Sequence, residues 1–128
     1  MAGLTLMMLC MACSGDPKPL TDEEAASQQA QQCYEALYGN QAEAFLKGRV
    51  NVDQMPEGFR QELLETYRHH ARQVEQAHQG VRSVEIVRAQ ADSTLQLMQV
   101  FLALSYGDGT KEQIVVPMVK SGEEWRMK

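Results

Sequence analysis

The sequence is short of basic charge. Its 128 residues carry 12 Lys and Arg against 17 Asp and Glu, a formal net charge of −5. A nucleic-acid binder normally presents a basic stripe to phosphates, so this balance argues against that class. It argues equally against polybasic docking on anionic lipid. Arg60, Arg68, Arg72, Arg82 and Arg88 are interspersed with glutamates and read as a mixed, solvated surface. Long apolar runs are missing as well. The most apolar stretch, Leu4 to Met11, falls far below the ~20 residues a membrane-spanning helix needs. Cysteine is scarce too: Cys10, Cys13 and Cys33 are the whole set.

What the N-terminus has is a sharp change of composition. Met1 to Ala12 holds no charged side chain and four of the eight methionines, and reads as the apolar region of a signal peptide. After Ala12-Cys13 comes Ser14-Gly15-Asp16-Pro17-Lys18-Pro19, polar and rich in breakers. The pattern resembles the lipobox of bacterial lipoproteins, although Cys10 stands where that family prefers leucine and no Lys or Arg precedes the apolar run. The resemblance implies residues 1–12 as signal peptide, 13–20 as flexible tether and 21–128 as the domain. It implies lipid on Cys13, the membrane as a partner through that anchor, and a place in the bacterial cell envelope, periplasmic or at the surface. One acyl chain binds membranes only marginally, so several chains would be needed to hold the protein there. Cys33 would then be the leftover thiol, with no disulfide framework open to it. It sits on an apolar helical stripe, where a buried structural cysteine is the plain expectation.

Three helices are expected next. Thr21-Asp22-Glu23-Glu24 has the form of a capping box, with acidic side chains in the first turn where the helix dipole favours them. Ala26, Ala30, Cys33, Tyr34 and Leu37 recur at helical spacing, and Gly39 suits a left-handed C-terminal cap. Asn40-Gln41-Ala42-Glu43 opens a short second helix carrying Phe45 and Leu46 and closed by Gly48. Arg49 to Met55 reads as loop. Pro56 suits the first turn of a third helix. Phe59, Leu63, Leu64, Tyr67, Ala71, Val74 and His78 follow at steps of three and four. This longest helix is the expected partner of the sheet.

Four strands should follow. The first runs from about Val81 to Ala91 and turns at Asp92-Ser93. The second, from Leu95 to Leu104, is apolar at both parities. It therefore belongs in the middle of the sheet and is a candidate for a bulge. The third, around Ile114 to Val119, contains Pro117, which removes one ladder donor. Gly107-Asp108-Gly109 and Ser121-Gly122 are turn chemistry, and Trp125 and Met127 alternate in the last strand. The whole is an α+β fold in which three N-terminal helices pack on a curved four-stranded antiparallel sheet.

That order resembles the cone-shaped nuclear-transport-factor-2-like (cystatin-like) fold, and more narrowly a family of small bacterial lipoproteins that have it. The residues carrying the resemblance are Ala12-Cys13-Ser14-Gly15, Tyr34-Glu35-Ala36-Leu37-Tyr38-Gly39-Asn40 and Val116-Pro117-Met118-Val119-Lys120-Ser121-Gly122-Glu123-Glu124-Trp125-Arg126. Members have at times been labelled lumazine-binding domains, which implies a small aromatic ligand in a pocket at the open end of the cone.

Superfamily enzymes place Asp, His or Tyr in that pocket, because a general base must reach its substrate by hydrogen bond. Here the inward-capable strand positions are Leu, Met, Val, Phe and Ala, with Gln96 and Gln99 the polar exceptions. Candidate pocket residues are Tyr34, Tyr67, His78, Gln99, Phe101 and Trp125, although aromatic side chains at such spacings are core first. Glu65 and His69 lie four apart on one helix face and more simply form an exposed pair than a metal site. No cofactor and no metal is expected. The expected role is a non-catalytic envelope module that takes a protein partner or small ligand at the cone pocket or sheet face, with a homodimer across that face. The alternatives are an acid–base enzyme using His78, Tyr67 or Tyr34, and an assembly accessory that only self-associates.

Overall fold

A computed structural model describes residues 18–128, so the expected leader, Cys13 as the expected lipid-attachment residue, and most of the expected tether lie outside the described residues. The described chain forms α1 (Asp22–Tyr38), α2 (Ala42–Lys47), a 3-10 turn at Val52–Gln54, α3 (Glu57–His78) and strands β1 (Val81–Asp92), β2 (Leu97–Tyr106), β3 (Lys111–Ser121) and β4 (Glu124–Met127). The strands form one antiparallel sheet in the order β1-β2-β3-β4. The expected α+β architecture, three helices against a four-stranded meander, is what forms.

Local signals explain most boundaries. The capping box is complete: Glu24 N donates to Thr21 Oγ1 at 3.1 Å, and Thr21 N donates to Glu24 Oε1 at 2.9 Å. Pro56 is the N-cap of α3 rather than its first-turn residue, and the left-handed residue at the far end is Gln79, at φ 61°. Gly39 departs from the expected left-handed cap. Its φ is −99°, and Asn40 takes the positive φ of 63° instead. Asparagine tolerates that region better than most residues, so the dipeptide shares the cap differently from the expected form. Asn40 does not cap α2; Gln41 does, without a side-chain bond.

The helix against the sheet is α1, not α3. α1 touches all four strands, whereas the main strand contact of α3 is β1. The reason is side-chain size. Ala26 and Ala30 are fully buried and, with Cys33 and Leu37, let the α1 backbone settle close to the strands. α3 carries larger apolar groups but buries only Leu64 and Val74, and leaves Phe59 48% exposed. It lies instead against α1 and α2.

In β2 the even positions Met98, Val100, Leu102, Leu104 and Tyr106 are buried, and the odd ones from Gln99 onward are half-buried, with Leu97 at the strand start buried as well. β2 is central, as its composition demanded, but it does not bulge. The register shifts fall in β1, where Arg82 and Val87 are the extra residues. β2 also starts later than expected, leaving Leu95 exposed in the turn. Pro117 costs the β2–β3 ladder nothing. Its carbonyl accepts from Lys128 N at 2.9 Å, so its main-chain groups face the β4 side, beyond the last paired residue. Val100, Leu102, Leu104, Val116 and Met118 have essentially no solvent contact. They fill the space between sheet and α1 where a cone cavity would otherwise lie.

Candidate functional site

The six candidate pocket residues do not converge on one cavity. Tyr34 and Tyr67 join an aromatic spine between the helices. Phe45 stands edge-on to Tyr34 at 5.1 Å and to Tyr67 at 4.8 Å between ring centroids. Arg49 Nη1 donates to Tyr67 Oη at 3.3 Å, while its buried Nε has no hydrogen-bond partner among the described residues. Burial raises the Tyr34 hydroxyl pKa above its ordinary value, with the neighbouring Cys33 and Tyr67 adding to the effect. These two tyrosines are interior packing.

His78 lies at the hairpin end of the molecule. Its ring stacks on Tyr106 at 4.4 Å, and Nδ1 meets Asp108 Oδ2 at 3.0 Å. Asp108 Oδ1 accepts from the Thr110 amide at 2.9 Å and from the Thr110 hydroxyl at 2.6 Å. These bonds to Thr110 and the His78 contact hold the Asp108 carboxyl down at about 2. Tyr106 Oη donates to Glu112, and burial, followed by that carboxylate, pushes its pKa up to about 12. Tyr38 Oη and His70 Nε2 are 2.9 Å apart, and burial first, then Tyr106, Tyr34 and Glu112, raise the Tyr38 pKa far above the ordinary value. The main chain closes the same end: Gly107 N donates to Gly80 O at 2.8 Å and Asp108 N to His78 O at 2.9 Å.

Gln99 and Phe101 lie on the sheet's outer face, because the even positions of β2 point to the helices. Arg88 lies 3.9 Å over the Phe101 ring, and Gln99 Nε2 donates to Asp92 Oδ2 at 3.3 Å. They cannot share a cavity with Tyr34 or Tyr67.

Trp125 is the candidate that meets open space. It lines a hollow of about 430 Å³ bounded by Ala25 and Gln29 of α1, Ala44, Lys47 and Gly48, and the β4 segment to Arg126. It also lines a second, of about 360 Å³, with Asp22, Asp92, Leu97, Met98, Val119 and Lys120. The indole thus separates two concavities at the end where α1 begins. Four charges there are already paired, Lys120 with Asp22 at 3.4 Å and Arg126 with Glu124 at 2.9 Å. Arg126 also donates to Lys47 O at 2.8 Å, which pins α2 to the strand edge. Gly48 is required in this wall, since a Cβ there would collide with Cys33 Sγ.

Sequence reasoning missed Gln29, Lys47, Gly48 and Arg126 as lining residues, because no local pattern marks a wall made from three elements. Asp108 was legible as a turn residue, but its pairing with His78, 30 residues away, carries no sequence signal. No metal-binding group of three or more His, Cys, Asp or Glu forms among the described residues. No helix among them is long and apolar enough to cross a membrane.

No family model and no curated protein matches the chain. Among solved structures it is similar to a Campylobacter jejuni protein described as a "Putative NTF2-like transpeptidase". The TM-score is 0.63 at 10% sequence identity, over 78% of this chain and 94% of that one. An identity this low carries the fold alone. The chain has the NTF2-like fold, the abbreviated name of the nuclear-transport-factor-2-like cone.

Proposed function

We propose that this protein is a lipid-anchored envelope module, held by Cys13, that binds a small planar ligand in the groove beside Trp125 and does no chemistry on it. The observation that carries the reading is the filled cone. Val100, Leu102, Leu104, Val116 and Met118 occupy its interior, so among the described residues the space between sheet and α1 is filled by apolar side chains. The hollows flanking Trp125 are within the size range of small-molecule sites. A flat ring stacked on the indole is the kind of ligand that such a wall favours, consistent with the lumazine-binding label of similar lipoproteins.

The transpeptidase name of the structural neighbour would require a nucleophile. Cys33 is the described thiol, and it is buried against Gly48 with its pKa raised by desolvation. A thiol so placed is inert. A second reading, acid–base catalysis, is favoured by one observation, the His78–Asp108 hydrogen bond oriented by Thr110. However, His78 lines neither of the two hollows beside Trp125.

Trp125 is the sole tryptophan, so its emission reports on the groove directly. Titration with lumazine should give saturable quenching that disappears in Ala44→Arg, which fills the groove wall. Equal quenching in both proteins would remove the groove from the reading. The anchor is tested by the intact mass of protein from native membranes beside Cys13→Ala. Acylated residues 13–128 are expected, and an unmodified full-length soluble chain would contradict it.

A further inference from the structure

We propose that the outer edge of β1 is a seam for a second copy of this chain, paired antiparallel about a two-fold axis at Gln90. This interface is independent of the Trp125 groove. The two edges of the sheet are treated differently. On the far side β4 pairs with Met118 to Ser121 of β3, and its own edge is closed at Met127, with Met127 N donating to Gly48 O at 2.7 Å and Val50 N to Met127 O at 2.8 Å. Among the described residues no strand pairs with β1 on its outer side. The first half of that edge is protected in the usual ways. It bulges at Arg82 and Val87, and Gln31 Nε2 covers the Val84 carbonyl at 2.9 Å. The stretch from Arg88 to Asp92 has no bulge, no proline and no lysine, and no hydrogen bond from another element covers its outer edge among the described residues.

The direction of the free groups follows from the ladder. Tyr106 N donates to Thr110 O, so even residues of β2 aim their main-chain groups at β3 and odd ones at β1. Ala89 and Ala91, opposite Val100 and Met98, therefore turn their N–H and C=O groups outward. A two-fold at Gln90 sets each Ala89 against the partner's Ala91, each such pair exchanging two hydrogen bonds. It also sets Arg88 against the partner's Asp92, twice, on the sheet's outer face. Moving the axis to Ala89 or Ala91 would face one of those charges with a glutamine instead, so charge complementarity selects the register. Both groups have capacity to spare. Arg88 uses one N–H on Gln90 Oε1 at 2.8 Å, and Asp92 accepts from Leu95 N and Gln99 Nε2. The same axis brings Ile86 and Val87 of one copy towards the turn carrying Leu95 of the other. These three are among the exposed large apolar side chains of the chain.

Gln90 opposes its own copy at a closely spaced, non-hydrogen-bonded position, which is disulfide geometry. The test uses the full chain with Cys10 and Cys13 changed to serine, leaving buried Cys33 in place. Gln90→Cys should form a covalent dimer under mild oxidation, while Val115→Cys on the outer face should not. Sedimentation of the chain without an added cysteine should give a dimer, and Ala91→Pro should make it monomeric with an unchanged circular dichroism spectrum, since that N–H is outside the β1–β2 ladder. A monomer at all concentrations overturns the proposal. So does a dimer that survives Ala91→Pro, or one that cross-links through Val115→Cys.

Discussion

The two ends of this molecule use their polar groups in opposite ways. At the hairpin end, where α3 stops and β2 turns into β3, they are committed to one another. His78 is tied to Asp108, Asp108 to Thr110, Tyr106 to Glu112 and Tyr38 to His70. At the end where α1 begins the contacts are exposed ion pairs, and Trp125 stands between two hollows. Fully satisfied polar networks rigidify a structure, whereas space beside a partly exposed aromatic is what a ligand can use. The difference explains how residues that look catalytic, a histidine beside an aspartate, can serve as a clasp while a lone tryptophan marks the proposed binding surface.

The largest effect should come from breaking the hairpin end at its closest approach. A Cβ on Gly107 would collide with the Gln79 carbonyl, so Gly107→Ala should cost about 3 kcal/mol in a urea melt. Little change would mean that the two segments are not in contact.

A smaller effect concerns pH. The Asp108 carboxyl is held below its unfolded value, so its contribution is complete above about pH 4 and is lost as pH falls towards about 2. Tyr106 runs the other way. Its raised value gives stability that is complete below about pH 10 and is lost as pH rises through about 12. Asp108→Asn should flatten the acid limb of stability against pH, and Tyr106→Phe the alkaline limb. Limbs unchanged by these substitutions would show that the clasp contributes nothing.

The smallest effect belongs to the end where α1 begins. Lys120→Ala removes an exposed ion pair with Asp22 and should shift stability by less than about 0.5 kcal/mol. A loss comparable to that of Gly107→Ala would erase the contrast between the ends.

The order of elements was legible in the sequence because each rests on a local signal: the Thr21–Glu24 box, the helical stripes, the glycine turns. The packing partner was not. α3 has the larger apolar stripe, yet α1 takes the sheet, because small side chains at Ala26 and Ala30 allow close approach and a stripe of large ones does not. The bulge was placed in β2 from its two-sided apolarity and occurs in β1, where local side-chain pattern gave no hint. The site candidates were chosen by residue type, which says nothing about parity. Gln99 and Phe101 fall on the outer face for that reason alone, and the groove walls at Gly48 and Arg126 needed the tertiary structure to appear.

The most direct test of the contrast is residue-resolved amide hydrogen exchange on the full-length protein, with and without detergent-solubilised envelope extract. The account predicts new protection in the first half of α1, in α2 and in Glu124–Met127, with the hairpin-end amides of residues 79 and 106–110 already protected and unchanged. Protection that appears around residues 78–80 and 106–110 while the Trp125 groove stays as it was would contradict it and return the acid–base reading to first place.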